Sequence, residues 1–284
     1  MCTFCEFLKI RVSTRREVSH SIPLTHLDTW DEPQTHHTPS GILNMSPTLL
    51  FYLSLQLLLA LGVACVVCVC VWCKHWLGGF AWDGSSHQFN WHPVLMVTGL
   101  VVLYGIGAVL YRVPLTWGQN KLPWKILHAT LMLLALILSI VGLCAVFDFH
   151  NHNSIPNLYS LHSWIGIIAV ALFATQWVVG AASFLLPFSP PSLRSRIKPI
   201  HVWMGGSIFT LSIAACISGI NEKLFFNGDY SKLPAQAQMA NSLGVLIVAF
   251  GLMVFVILWN HQWQRPEVRP EGPTYTPVFQ EENE

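Results

Sequence analysis

The sequence predicts an all-α integral membrane protein built from six transmembrane helices, and three observations carry that prediction. Hydrophobic residues fill 53% of the 284 positions and charged residues only 10%, well under the roughly 25% charged usage of soluble domains. Six separate runs contain no Asp, Glu, Lys or Arg. Each run is continuously apolar instead of alternating, which selects membrane helices over barrel strands. A soluble globular enzyme is thereby disfavoured, and a net charge of +1 leaves no basic excess for nucleic acid.

Residues 1–47 are polar and mixed, with four histidines and no apolar periodicity, and are expected to form a disordered arm without a cleavable signal. Met45 stands directly before the first apolar run, so the arm reads as an optional extension from an upstream start. The runs are Leu49 to Trp72, Trp91 to Tyr111, Ile126 to Phe147, Tyr159 to Leu186, Ile200 to Ile220 and Ala240 to Trp259. Each approaches the ~20 residues a spanning helix needs, and the fourth has room to tilt. Trp72, Trp91, Trp124, Trp203, Trp259 and Trp263 stand at run ends, as interfacial anchors do. The membrane domain is expected over 48–262, followed by a polar tail over 263–284.

Lysines and arginines orient the chain. The N-terminal arm carries Lys9, Arg11, Arg15 and Arg16; the second connection Arg112, Lys121 and Lys125; the fourth Arg194, Arg196 and Lys198; the tail Arg265 and Arg269. Only Lys74, Lys223 and Lys232 fall on the other side. The positive-inside rule therefore places both termini in the cytosol.

Of the acid and base residue types Asp, Glu, Lys, Arg and His, only histidine enters the runs, at His92, His128, His162 and His201. Such a side chain inside a membrane is expensive and marks function by default, although an interfacial histidine bonded to a carbonyl is the plain alternative for any one of them. Their arrangement is more informative. Each lies near the start of its own run and successive helices alternate in direction, so His92 and His162 share the luminal layer and His128 and His201 the cytosolic one. Helices of ~22 residues put the layers on the order of 20 Å apart. Two facing imidazoles are the axial ligands of a six-coordinate haem, whereas zinc asks for further ligands that neither layer offers. The fold expected is thus a central four-helix bundle of spans two to five holding two haems. Small residues deeper on the same faces, Gly99, Ala135, Gly166, Ala169 and Gly205, would admit a porphyrin, though ordinary helix packing uses small residues too. No Cys-x-x-Cys-His occurs, so the haems are expected to be b-type and non-covalent. With both axial positions filled, electron transfer is the chemistry left.

Lys121, Lys125 and His128 stand at i, i+4 and i+7, and Arg194, Lys198 and His201 repeat the pattern. If the helices begin early enough, each face sets two cations beside a ligand, suited to an anionic substrate. Pro123 and Pro199 fit a first helical turn, however, which would leave the outermost cation of each set in the loop. The luminal loops instead carry Asp83, Asp148, Glu222 and Asp229 with His75, His87, His150 and His152, and Tyr159 precedes His162 by three residues. Carboxylates and imidazoles there could hold a ferric ion while it is reduced.

Four segments now identify a resemblance: Phe89-Asn90-Trp91-His92-Pro93-Val94-Leu95-Met96, Ile126-Leu127-His128-Ala129, Ser160-Leu161-His162-Ser163-Trp164 and Pro199-Ile200-His201-Val202. In this order and at these depths they closely resemble the cytochrome b561 family over roughly residues 48 to 262. The resemblance implies an oxidoreductase in which cytosolic ascorbate feeds single electrons to an inner haem and an outer haem passes them to ferric iron or to monodehydroascorbate. It implies axial ligation by His92 with His162 and by His128 with His201, in agreement with the topology. It further implies ascorbate contacts at Arg112, Lys121, Lys125 and Arg194, luminal contacts at His150, Tyr159 and Glu222, a homodimer, and a late-endosomal or lysosomal membrane. The chain departs at Phe149, where a family relative has asparagine.

Cys65, Cys68, Cys70 and Cys73 form two overlapping Cys-x-x-Cys steps in the first run, but no histidine partners them there, and cysteine packs well as a small hydrophobe. Tyr275-Thr276-Pro277-Val278 fits the Tyr-x-x-apolar pattern of endocytic sorting. Asn44-Met45-Ser46 is a glycosylation sequon on the cytosolic side, where it stays unmodified. Two rival classes remain: a histidine-based proton channel or transporter, which needs no chromophore, and a haem sensor that ascorbate does not reduce.

Overall fold

The computed structural model describes residues 46–226, 228 and 230–266. The N-terminal arm, Asp229 and the tail with its Tyr275 motif lie outside the described residues.

Among the described residues six helices are long and apolar enough to cross a membrane: α1 (Pro47–Trp76), α2 (Ser86–Arg112), α3 (Lys121–His152), α4 (Leu161–Leu185), α5 (Pro191–Phe225) and α6 (Ala235–Trp259). Their starts follow from capping chemistry. Ser46 Oγ accepts the Leu49 N–H at 3.2 Å with Pro47 in the first helical position, and Asn120 Oδ1 accepts the Leu122 N–H at 3.0 Å. Ser160 and Ser163 form a reciprocal capping box at the start of α4. The first, third and fifth connections make one end of the molecule, called upper here, and the second and fourth the lower end.

Helix α2 is the centre of the fold, with 61% of its apolar window buried against 17–33% for the other five. It runs beside α3 and α5 on one side, meets α4 across the bundle through rings such as Tyr104 and Phe173, and takes α1 and α6 on the other. Glycines allow that second contact. A Cβ on Gly105 would lie 2.6 Å from the Phe250 ring, and one on Gly62 would meet Val102 and Phe250. Exposed Leu49, Leu53, Leu57, Val63 and Val67 on α1 present the apolar outer surface that a bilayer requires. Cys65 and Cys73 are buried free thiols in the core, in keeping with a packing role.

The helices extend past the apolar runs, because cations and prolines interrupt hydropathy without interrupting helix. Helix α3 opens at Lys121, so Pro123 sits in its first turn, where no hydrogen bond is lost. Helix α5 opens at Pro191, which places Pro199 inside the helix and not in its first turn. Two tryptophans also differ from the interfacial expectation. Trp72 is 1% exposed and Trp263 3%; the Trp263 indole donates to Pro47 O at 3.1 Å and its ring packs on Phe51, fastening the end of α6 to the start of α1. Trp203 and Trp259, at 70% and 71% exposure, do stand where anchors belong.

Candidate haem sites and their two faces

The four membrane histidines meet in two pairs within the α2–α5 bundle. Ring centroids of His92 and His162 lie 6.1 Å apart, and those of His128 and His201 lie 6.4 Å apart. Metal–nitrogen bonds of roughly 2 Å, with centroids roughly 1.1 Å behind the ligating nitrogens, put a trans pair roughly 6 Å apart. Both pairs therefore fit one metal between two imidazoles.

Backbone carbonyls set the tautomers. His92 Nδ1 pairs with Gly142 O at 3.1 Å, His128 Nδ1 with Gly107 O at 2.9 Å and His162 Nδ1 with Ala215 O at 2.8 Å. A carbonyl can only accept, so each Nδ1 carries the proton and each Nε2 keeps the lone pair a metal needs. These bonds also measure the layer spacing. Gly142 follows His128 by fourteen residues on α3, and Ala215 follows His201 by fourteen on α5, a helical rise of about 21 Å.

Small residues shape the pairs differently from the sequence expectation. Gly166 has open space beside it, as a porphyrin would require, but Gly99 is used against the Ala135 carbonyl, 2.8 Å from where its Cβ would be, so these two join α2 to α3. The glycines that touch the paired imidazoles are Gly219, whose Cβ would fall 2.6 Å from the His162 ring, and Gly180, whose Cβ would fall 2.9 Å from His201 Cε1.

At the lower end, Lys121, Lys125 and His128 all lie within α3, and Arg194, Lys198 and His201 all within α5. Lys125 Nζ donates to Phe184 O and the Arg194 guanidinium to Leu186 O, both at 3.1 Å, so the two cations converge on the last turn of α4. Lys121 and Arg194 are near enough to act on Lys125 electrostatically. The Phe184 ring lies 5.3 Å from the His201 ring, linking the cations to the lower pair. Arg112 is employed differently: its guanidinium donates to Leu258 O at the end of α6.

At the upper end a cavity of about 430 Å³ is lined by His92, His162, His150, Tyr159, Glu222 and Lys223, among others. His150 and Tyr159 rings lie 6.1 Å apart, and the half-exposed Tyr159 hydroxyl donates to Glu222. Burial, then the charge of Glu222 and that hydrogen bond, hold the Tyr159 phenol above its usual range. Leu158, just before it, adopts φ 55°, a left-handed conformation that a branched residue takes only under constraint. Other polar residues of this end build loops: Gln88 bonds Gly84 N at 2.5 Å and Asp148 at 3.2 Å, and Asn90 donates to Leu77 O and Gly79 O. Phe149 packs on Phe89 beside the cavity.

Residues 91–227 match the family described as eukaryotic cytochrome b561. The chain is 61% identical over 236 residues to a lysosomal membrane ascorbate-dependent ferrireductase of Danio rerio, covering 80% of this chain and 96% of that relative. The corresponding protein of Homo sapiens is 56% identical over 222 residues, 76% of this chain and 92% of that one. The chain belongs to the cytochrome b561 family. A plasma membrane ascorbate-dependent reductase of Xenopus laevis is 47% identical over 211 residues, 73% of this chain and 75% of its own length.

Membership in the cytochrome b561 family implies haem b, which the paired imidazoles fit. Sequence reasoning missed Lys223, whose ammonium lies 4.3 Å from the Phe89 ring centroid and which lines the cavity of this cytochrome b561. Its signal was a lysine directly beside Glu222 at the end of an apolar run. It also missed Arg265, which donates to Trp117 O at 3.0 Å and Gln119 O at 2.8 Å and so holds the connection leading into α3.

Proposed function

We propose that this protein carries single electrons across a lysosomal membrane, oxidising ascorbate on the cytosolic side and reducing ferric iron to ferrous iron on the luminal side. The observation that carries this reading is the two histidine pairs, with ring centroids 6.1 and 6.4 Å apart, set about 21 Å from one another along the same four helices. Two b-type haems, held by His92 with His162 and by His128 with His201, would supply reversible one-electron chemistry at each face. The lower end is read as cytosolic because, among the described residues, it carries Arg112, Lys121, Lys125, Arg194, Arg196, Lys198 and Arg265 against Lys74, Lys223 and Lys232 at the upper end. Residues 48–262 form the electron-transfer domain on this reading, with cytosolic segments before and after it.

Each face does distinct work. Lys125 and Arg194, leaning on the end of α4 with Lys121 beside them, draw in the ascorbate anion and orient it by charge-assisted hydrogen bonds. Arg112 adds charge from the end of α2. Ascorbate gives up one electron and releases a proton to water at this open face. On the luminal side, Glu222 and Tyr159 offer hard oxygen donors suited to ferric iron, with His150 alongside. Among the described residues no group of three or more His, Cys, Asp or Glu could hold a metal ion, so iron is bound in passing and leaves once reduced. A second acceptor, monodehydroascorbate, is favoured by the Lys223 ammonium in the same cavity, which complements an anion.

The deciding test is the visible spectrum of detergent-purified protein before and after ascorbate, with haem counted per chain. Two b-type haems reduced by ascorbate are expected; no haem would make the proton-relay reading the leading one. Reoxidation by ferric citrate and by enzymatically generated monodehydroascorbate then ranks the acceptors. The family resemblance also supports a homodimer, which light scattering in detergent checks.

A further inference from the structure

Three of the four histidines give their Nδ1 proton to a backbone carbonyl, and the fourth does not. His201 Nδ1 is buried without a protein acceptor. Where the others meet a carbonyl, His201 meets the Cα side of Gly180 and the ring of Phe184, 5.3 Å away. The bundle is otherwise repetitive here. His92 and His128 exchange partners across α2 and α3, while on α4 and α5 only His162 finds its carbonyl.

A hydrogen bond from Nδ1–H to a carbonyl makes the opposite ring nitrogen a stronger donor to a metal. A stronger donor favours the oxidised, more positive iron and lowers its reduction potential. We infer that His201 is the weakest donor of the four ligands and that the cytosolic haem site has the higher potential of the two, so that electrons occupy it first. This rests on the two-haem reading above. The surrounding charge acts in the same direction. Lys125 and Arg194 stand next to Phe184 and the lower pair and favour the reduced state, whereas at the upper pair the charge of Lys223 is opposed by that of Glu222.

The test is a potentiometric titration of the purified full-length protein followed in the visible band. Two components are expected in the wild type. In His201→Ala the higher-potential component should vanish, and in His162→Ala the lower one. Loss of the lower component from His201→Ala, or a single unresolved midpoint in the wild type, would overturn the ordering. Fewer than two haems per wild-type chain would instead sink the two-haem reading on which the ordering stands. Gly180→Ser and Gly180→Ala then separate hydrogen bonding from charge, since both add a Cβ and only serine adds an acceptor near Nδ1. A lower cytosolic midpoint in the serine variant than in the alanine variant supports the hydrogen-bond cause, and equal midpoints refute it.

Discussion

The upper and lower ends of the bundle repeat one internal arrangement and finish it differently. At both, two imidazoles from helices that run in the same direction, α2 with α4 above and α3 with α5 below, come together with ring centroids about 6 Å apart. Beyond that, the His92/His162 pair opens into a cavity edged by a phenol, a carboxylate and an imidazole, and the His128/His201 pair is bordered by aromatic rings and then by an ammonium and a guanidinium. The pairs determine what kind of carrier the protein holds. On the proposed reading, the rims determine what each end exchanges electrons with: ferric iron or its alternative acceptor above, the ascorbate anion below.

Gly219→Ala puts the most strain on this comparison. Its Cβ would sit 2.6 Å from the His162 ring, so the ring must move, and haem retention at the upper pair alone should fall on the order of 10–100-fold. Haem content per chain dropping towards one, with ascorbate reduction of the remaining haem intact, is the expected result; loss of both haems would show that the two ends are not separable. Lys125→Ala acts at the other rim. Removing one charge-assisted hydrogen bond should raise the ascorbate KM roughly 10-fold while dithionite still reduces both haems, and an unchanged KM would remove Lys125 from the donor site. The smallest effect expected is that of Tyr159→Phe. Deleting the hydrogen bond to Glu222 should slow ferric reduction roughly fivefold without altering the ascorbate KM, so a change confined to ascorbate kinetics would reverse the assignment of the faces.

The parts of this architecture that were legible in the sequence are those where a bilayer punishes the wrong residue. Six charge-free runs and four intruding histidines are conspicuous because hydrocarbon excludes ionisable groups, and the cations at i, i+4 and i+7 are conspicuous because helices put them on one face. The acceptors of the histidine protons were not legible, since Gly107, Gly142 and Ala215 contribute only a carbonyl, which every residue has. The same limit hid the employment of Gly99 and Ala135 in joining α2 to α3, because close helix packing and a cofactor bed both call for small residues. Trp72 and Trp263 looked like interfacial anchors from their place at run ends, and only tertiary contacts show them buried. The start of α5 was misplaced because Pro199 resembles a first-turn proline, while the helix already runs from Pro191.

The reciprocal bonds between α2 and α3 couple the two ends mechanically. His92 on α2 is held by Gly142 on α3, and His128 on α3 is held by Gly107 on α2. A slip of one helix against the other by a single residue, about 1.5 Å, would misalign both bonds together. The hairpin therefore acts as its own ruler during assembly: the register that seats the His92 imidazole also seats that of His128, and on the two-haem reading a chain inserted in the wrong register would be recognisable by the absence of both chromophores rather than of one.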